Sequence, residues 1–192
     1  HDAGRDQRVG ERRRAAEMAA GFERHVGRRP TCRFARGAQR VDFGVGTLEA
    51  PVAGFHEEVL RREPLVAAAI ESDHFPGGAP MTWKQLSMFS VVTVRSGYGV
   101  RGRIEAAARE AGVELRIEHE VSLLGTAVAF AAHGLGVVVA PASIVAAEPR
   151  LVTRRLTRPK VERTTGILSR RERSLSPAAQ AFATVLRSIA SD

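Results

Sequence analysis

A chain of 192 residues has the size of one compact α/β domain or of two small lobes. Its 44% hydrophobic and 5% aromatic content excludes global disorder and fits an aliphatic core, while a single cysteine, Cys32, excludes an intrachain disulfide or a cysteine metal cluster. The net charge of +8 is concentrated at one end: residues 1–40 hold eleven arginines against five acids, net +6, which leaves net +2 for residues 41–192.

The longest apolar run, residues 135–142, falls well short of the roughly 20 residues that a membrane span needs. Residue 1 is histidine, so a further N-terminal element is expected before it, and no apolar core follows that would mark a signal peptide. Residues 12–24 read as a helix with Ala15, Met18, Ala19 and Phe22 on one side, but no apolar strand precedes it. A basic arm for phosphate backbones is one reading of residues 1–40. Aromatic interleaving and helix-turn-helix spacing, which would support it, are missing. The other reading is a reading-frame artefact or degenerate arm: 27 of the 29 basic residues of the chain are arginine, the mark of a GC-rich gene, and resequencing separates the two.

Ordered patterning begins at Arg40. V-D-F-G-V-G at 41–46 is a short strand ending in glycines, with Thr47 at its carboxyl end. Residues 55–62 lead into a second, buried strand at 64–70, and D-H-F-P-G-G at 73–78 is turn chemistry. T-W-K-Q-L at 82–86 begins like a capped single-turn helix, and residues 90–94 form another strand. The loop R-S-G-Y-G-V-R at 95–101 then opens an amphipathic helix at 101–111, which Gly112 terminates. Glycines between strand and helix let backbone N–H groups approach an anion. This spacing is neither that of a P-loop nor that of a dinucleotide fingerprint, which argues against nucleotides and leaves two readings on an equal footing, a small carboxylate and a tight turn that needs glycine only for its backbone angles.

The chain is organised around residues 119–141, H-E-V-S-L-L-G-T-A-V-A-F-A-A-H-G-L-G-V-V-V-A-P. A strand at 115–121 precedes Ser122, placed to cap a helix from Leu123 to His133, and Gly134 stands where a left-handed C-cap belongs. The valine run at 136–140 lacks polar alternation, as in a parallel strand covered by helices on both faces. The result is one right-handed βαβ unit in an open sheet. Ligands of such sheets gather outside the carboxyl ends of the strands, which points to residues 122–125 and 140–143; a plain capping serine and a buried strand are the alternative. Farther on, residues 151–156 and 164–169 read as strands broken at Pro159, and Ser176-Pro177 starts a helix at 178–190 with Phe182, Val185, Leu186 and Ile189 on one face.

Catalytic chemistry is not expected. Histidines 25, 56, 74, 119 and 133 are scattered over different elements, Glu57 and Glu58 suit a solvated face, and Ser143 and Ser169 lack the glycine-flanked elbow of hydrolases. Nothing assembles a nucleophile, a base and an orienting group, so no catalytic, cofactor-binding or metal-binding residue is assigned.

Taken in order, residues 41–190 resemble the C-terminal effector-binding (substrate-binding) domain of LysR-type transcriptional regulators. The matching pieces are V-D-F-G-V-G (41–46), E-P-L-V (63–66), S-D-H-F-P (72–76), T-W-K-Q-L (82–86), R-S-G-Y-G-V-R (95–101), A-A-A-R-E-A-G-V (106–113), residues 120–141, and L-S-R-R-E-R-S-L-S-P-A-A-Q-A-F (168–182). The resemblance implies an α/β fold of two Rossmann-like lobes of the type II periplasmic-binding-protein kind, joined by two crossover strands. Lobe I would hold residues 41–63 and 163–192 and lobe II residues 64–162, with residues 1–40 an atypical Arg-rich segment that leaves lobe I incomplete if it does not fold. It further implies a small, carboxylate effector bound between the lobes by Thr47, Ser96, Gly97, Tyr98, Ser122, Leu123, Leu124, Ala140 and Pro141. Effector closure would shift a population of packings in a homodimer or homotetramer in the cytoplasm. Promoter DNA would be met only through a winged helix-turn-helix absent from this chain. Residues 1–40 lack the strand, Pro-Ser or Pro-Thr turn and helix with which the family's first lobe opens, a departure that bears on effector binding. An extracytoplasmic solute-binding protein of the same fold is the alternative, distinguished by what precedes residue 1.

Overall fold

In the computed structural model, residues 41–48, 51–97 and 99–191 are described. They form two compact units: one holds the described residues up to Arg61 together with those from Thr165 onward, and the other is Arg62–Thr164. The chain passes between them twice, within strands β2 (Phe55–Ile70) and β8 (Glu162–Arg170).

In the first unit, β1 (Phe43–Thr47) pairs antiparallel with β8, from Phe43 opposite Ser169 to Thr47 opposite Thr165. The C-terminal helix α5 (Pro177–Ser191) starts where a serine followed by proline places it. The Ser176 hydroxyl accepts from the Ala179 N–H at 3.3 Å, and its carbonyl accepts from Gln180. Phe182 stacks on Phe43 with ring centroids 5.7 Å apart, Ala183 is buried, and Arg187 donates twice to the Glu58 carboxylate at 2.6 and 2.9 Å.

The second unit is a mixed sheet with helices on both faces. The carboxyl half of β2 lies between β7 (Leu151–Thr157) and β6 (Val137–Pro141), antiparallel to both. Beyond β6 come β4 (Val91–Val94) and β5 (Ile117–Val121), all parallel, and the two-residue β3 (Met81–Thr82) pairs with β7. Side-chain alternation divides the core in two. Leu65, Ala67, Ala69, Val91, Val137 and Val139 pack on one face with α1 (Trp83–Leu86) and α2 (Gly99–Glu110). Val66, Ala68, Val92, Val138 and Ala140 pack on the other with α3 (Leu124–Ala132) and Val145 of α4 (Ala142–Val145). The valine run of β6 therefore has the two-sided burial expected of it.

Several boundaries differ from the sequence reading. The lead-in at 55–62 and the strand at 64–70 are one strand of sixteen residues. Pro64 does not interrupt it, because pairing with β6 begins only at Leu65, so the missing N–H falls before that ladder. The expected βαβ unit β5-α3-β6 is present, but β4 lies between its two strands. Its last strand is parallel to β4 on one side and antiparallel to β2 on the other. Thr47, expected in a loop, is the last residue of β1. The capped helix at 82–86 is borne out with a full capping box: the Thr82 hydroxyl accepts from the Gln85 N–H, and the Gln85 side chain accepts from the Thr82 N–H at 2.8 Å.

Candidate functional site at the carboxyl edge of the parallel strands

Because β6, β4 and β5 are parallel neighbours, their carboxyl ends, Pro141, Val94 and Val121, share one edge of the second unit. Each strand is followed there by a helix: α4 after β6, α2 after β4 and α3 after β5. The Arg95 N–H donates to the Val121 carbonyl at 3.0 Å, which holds the loop after β4 against the end of β5.

Ser96, Gly97, Ser122, Leu123, Leu124, Ala140 and Pro141 all lie along this edge, on the elements just named. Ser96, Gly97 and Ser122 are exposed, and Gly97 has φ of 98°, a conformation that favours glycine. Leu123 is 53% exposed and Leu124 is half-buried. Ala140 and Pro141 are buried, and Ala140 packs against α3; they shape the floor of the edge and present no side chain to solvent. Thr47 belongs to the first unit, and Tyr98 lies outside the described residues.

The helix cap expected of Ser122 is not made. Leu123 occupies the N-cap position, with φ −128° and ψ 137°, and no side chain caps the helix. Ser122 stands one residue too early for its hydroxyl to reach the first-turn N–H groups. This displacement leaves the leading N–H groups of α3 without an acceptor among the described residues, the condition in which a helix start attracts an anion. The hydroxyls of Ser96 and Ser122 make no hydrogen bond among the described residues, and the exposed Arg95 forms no ion pair among them. Two hydroxyls, the leading N–H groups of α3 and one positive charge thus lie along a single edge without a partner among the described residues.

Two buried charged residues support the edge from behind, and sequence reasoning assigned a role to neither. Arg101, in the first turn of α2 and 6% exposed, donates from Nε to Glu105 at 2.6 Å. Its Nη1 donates to Glu120 at 2.7 Å and to the Val94 carbonyl at 3.1 Å. It therefore joins the ends of β4 and β5 at the root of the 95–97 loop. Glu63, on β2 and 5% exposed, accepts from Ser143 Oγ at 2.5 Å and Ser143 N–H at 3.2 Å, and from Arg163 Nη2 at 2.7 Å and Nε at 3.2 Å. Burial pushes its carboxyl up, but the bonds from Ser143 and Arg163 outweigh this and hold it below the ordinary glutamate range. The E-P-L-V segment pointed to this strand, and Ser143 fell within the edge residues; a glutamate flanked by Arg62 and Pro64 carries no local mark of burial.

Among the described residues, no three histidine, cysteine, aspartate or glutamate side chains gather as a metal would require, and no helix is long and apolar enough to cross a membrane.

Residues 35–191 match the family model of the LysR substrate binding domain. The chain belongs to this family. Members are domains of transcriptional regulators: over 157 residues this one is 32% identical to YfeR of Shigella flexneri, an uncharacterized HTH-type transcriptional regulator, a match that covers 77% of this chain and 48% of YfeR. The chain thus spans about half the length of the relatives it matches. Among solved structures, the regulatory domain of Synechocystis PCC6803 CcmR in complex with 2-PG superimposes with a TM-score of 0.73 at 16% identity, covering 84% of this chain and 79% of that one. The effector binding domain of QuiR in complex with shikimate gives 0.68 at 15%, covering 92% and 90%. At such identities the likeness is one of fold, and it is the periplasmic-binding-protein-like α/β architecture that the sequence implied.

Proposed function

We propose that this LysR substrate-binding domain senses a small carboxylate metabolite at the carboxyl edge of its second unit, within a cytoplasmic DNA-binding regulator. The observation that carries the reading is the uncapped start of α3 on the same edge as the hydroxyls of Ser96 and Ser122, a set of donors with no acceptor among the described residues. A carboxylate accepts hydrogen bonds through both oxygens and matches such a set. Gly97, Leu123 and Leu124 would form the wall, and Ala140 and Pro141 the floor. The fold relatives QuiR and CcmR, solved with shikimate and with 2-PG, support a small ligand.

The reading is one of sensing without chemical transformation. The ligand acts only through a difference in its affinity for two packings of the domain in a homodimer or homotetramer. Promoter DNA is contacted by a helix-turn-helix of the kind for which YfeR is named.

Isothermal titration of the folded chain against shikimate, benzoate and short aliphatic dicarboxylates tests this. Heat of binding is expected from one chemical group of the panel, with affinity about tenfold lower in Ser96→Ala or Ser122→Ala, the loss of one hydrogen bond to a charged group. Silence across the whole panel, or affinities untouched by both substitutions, would overturn it.

A further inference from the structure

Glu63 does more than fill a buried position. Its two carboxylate oxygens serve different segments: Oε1 takes both bonds from Arg163 of β8, and Oε2 takes the hydroxyl and N–H of Ser143, two residues beyond the end of β6. Glu63 itself is on β2. One side chain therefore joins both strands that cross between the units to the segment closing the candidate site. Beside it, the Leu65 N–H donates to the carbonyl of Val161, the residue just before β8, at 2.8 Å, so β2 is also tied through its backbone to the entry of β8. The boundary of the second unit falls immediately outside this cluster, at Arg62 on one strand and Thr164 on the other.

We propose that Glu63, Ser143 and Arg163 form a latch that makes the crossover strands and the 140–143 segment move as one piece, leaving the chain to bend outside it. All four bonds converge on one carboxylate that is shielded from water, where a charged group deprived of partners is costly. Opening either arm takes hydrogen bonds from the buried Glu63 carboxylate, so the two arms hold or release together. A displacement of Ala140 and Pro141 is then delivered to both crossover strands without any contact between ligand and strand. That consequence rests on the function proposed above; the latch itself does not.

Amide hydrogen exchange of the ligand-free chain, read residue by residue by NMR, tests the latch. Ser143→Ala removes the hydroxyl bond, the shorter of the two in that arm, and leaves the residue-143 N–H bond and the Glu63–Arg163 pair. The Ala146 amide, which donates to the Ala142 carbonyl in α4, and the Leu65 amide across the cluster are both expected to exchange about tenfold faster. The Val91 amide, bonded to the Arg116 carbonyl away from the cluster, is expected to keep its rate. Glu63→Gln should speed both reporters further. Should that variant fail to fold, Ser143→Ala alone decides. If Leu65 keeps its protection while Ala146 loses it, the segments are independent and the latch is wrong. A chain that binds none of the carboxylates yet shows the joint acceleration keeps the latch and loses the effector reading.

Discussion

Arg101→Met removes the guanidinium that joins β4, β5 and α2 while keeping an unbranched stem of similar reach. Three hydrogen bonds disappear, to Glu105, Glu120 and the Val94 carbonyl. Bonds to charged partners contribute about 1.5–3 kcal/mol when buried. Here both carboxylates are well exposed, at 42% and 44%, so they return to water and each pair is closer to a surface bridge of about 0.5–1 kcal/mol. The Val94 bond adds about 1 kcal/mol. Relief from desolvating a guanidinium offsets part of the total, which leaves a net loss of about 2 kcal/mol. Urea unfolding followed by the fluorescence of Trp83, the single tryptophan and fully buried in the second unit, gives a direct readout. With a urea slope of about 2 kcal/mol per molar, the midpoint should fall by about 1 M. A midpoint unchanged or raised would refute the assignment of Arg101 as the brace of this edge. The same substitution should lower ligand affinity together with stability, whereas Ser96→Ala should lower affinity at an unchanged midpoint.

Gly136→Ala should destabilise the second unit by about 2–4 kcal/mol in the same assay, because Gly136 has φ of 137° and a Cβ there would lie 2.6 Å from the Ser90 carbonyl oxygen; a midpoint within error of wild type would mean that the entry to β6 is not as tightly packed as described. Glu63 predicts acid sensitivity: its carboxyl is held below the value it has in the unfolded chain, so its contribution is whole above the ordinary glutamate pKa of about 4.3 and drains as pH falls through the lowered folded value. The urea midpoint should therefore drop on acidification below that range, with a shallower drop in Glu63→Gln, and equal slopes in the two proteins would sink the claim.

What the sequence disclosed about the fold was mostly what periodicity controls. The valines of β6 announce burial on both faces because neither face of that strand meets water, and the Thr82 box and the Ser176-Pro177 start are local chemistry that no distant contact overrides. Strand neighbours are another matter. That β4 lies between β5 and β6, and that β6 changes from parallel to antiparallel company, depends on pairing between segments far apart in the chain. That residues 55–62 and 64–70 form one strand through Pro64 has a related reason: proline ends a strand only where its N–H is needed, and that need is set by the partner strand.

The candidate site divides along the same line. Residues at strand ends follow from topology, so Ser96, Gly97, Ser122, Leu123 and Leu124 could be named in advance and do share an edge. The side chains that organise that edge could not. Arg101 looks like any solvated helical arginine, and its partner Glu120 like any exposed strand acid, until parallel pairing of β4 and β5 brings Glu120 to the first turn of α2. Glu63 and Arg163 are a hundred residues apart and meet only because both crossover strands pass through one place. Ser122 shows the converse: it has the right chemistry for a cap and the wrong offset by one residue, and the missed cap is what leaves the start of α3 open to a ligand. Charged side chains thus tie the strand ends together, while the hydroxyls of Ser96 and Ser122 make no bond among the described residues, the division that the proposed sensing role would use.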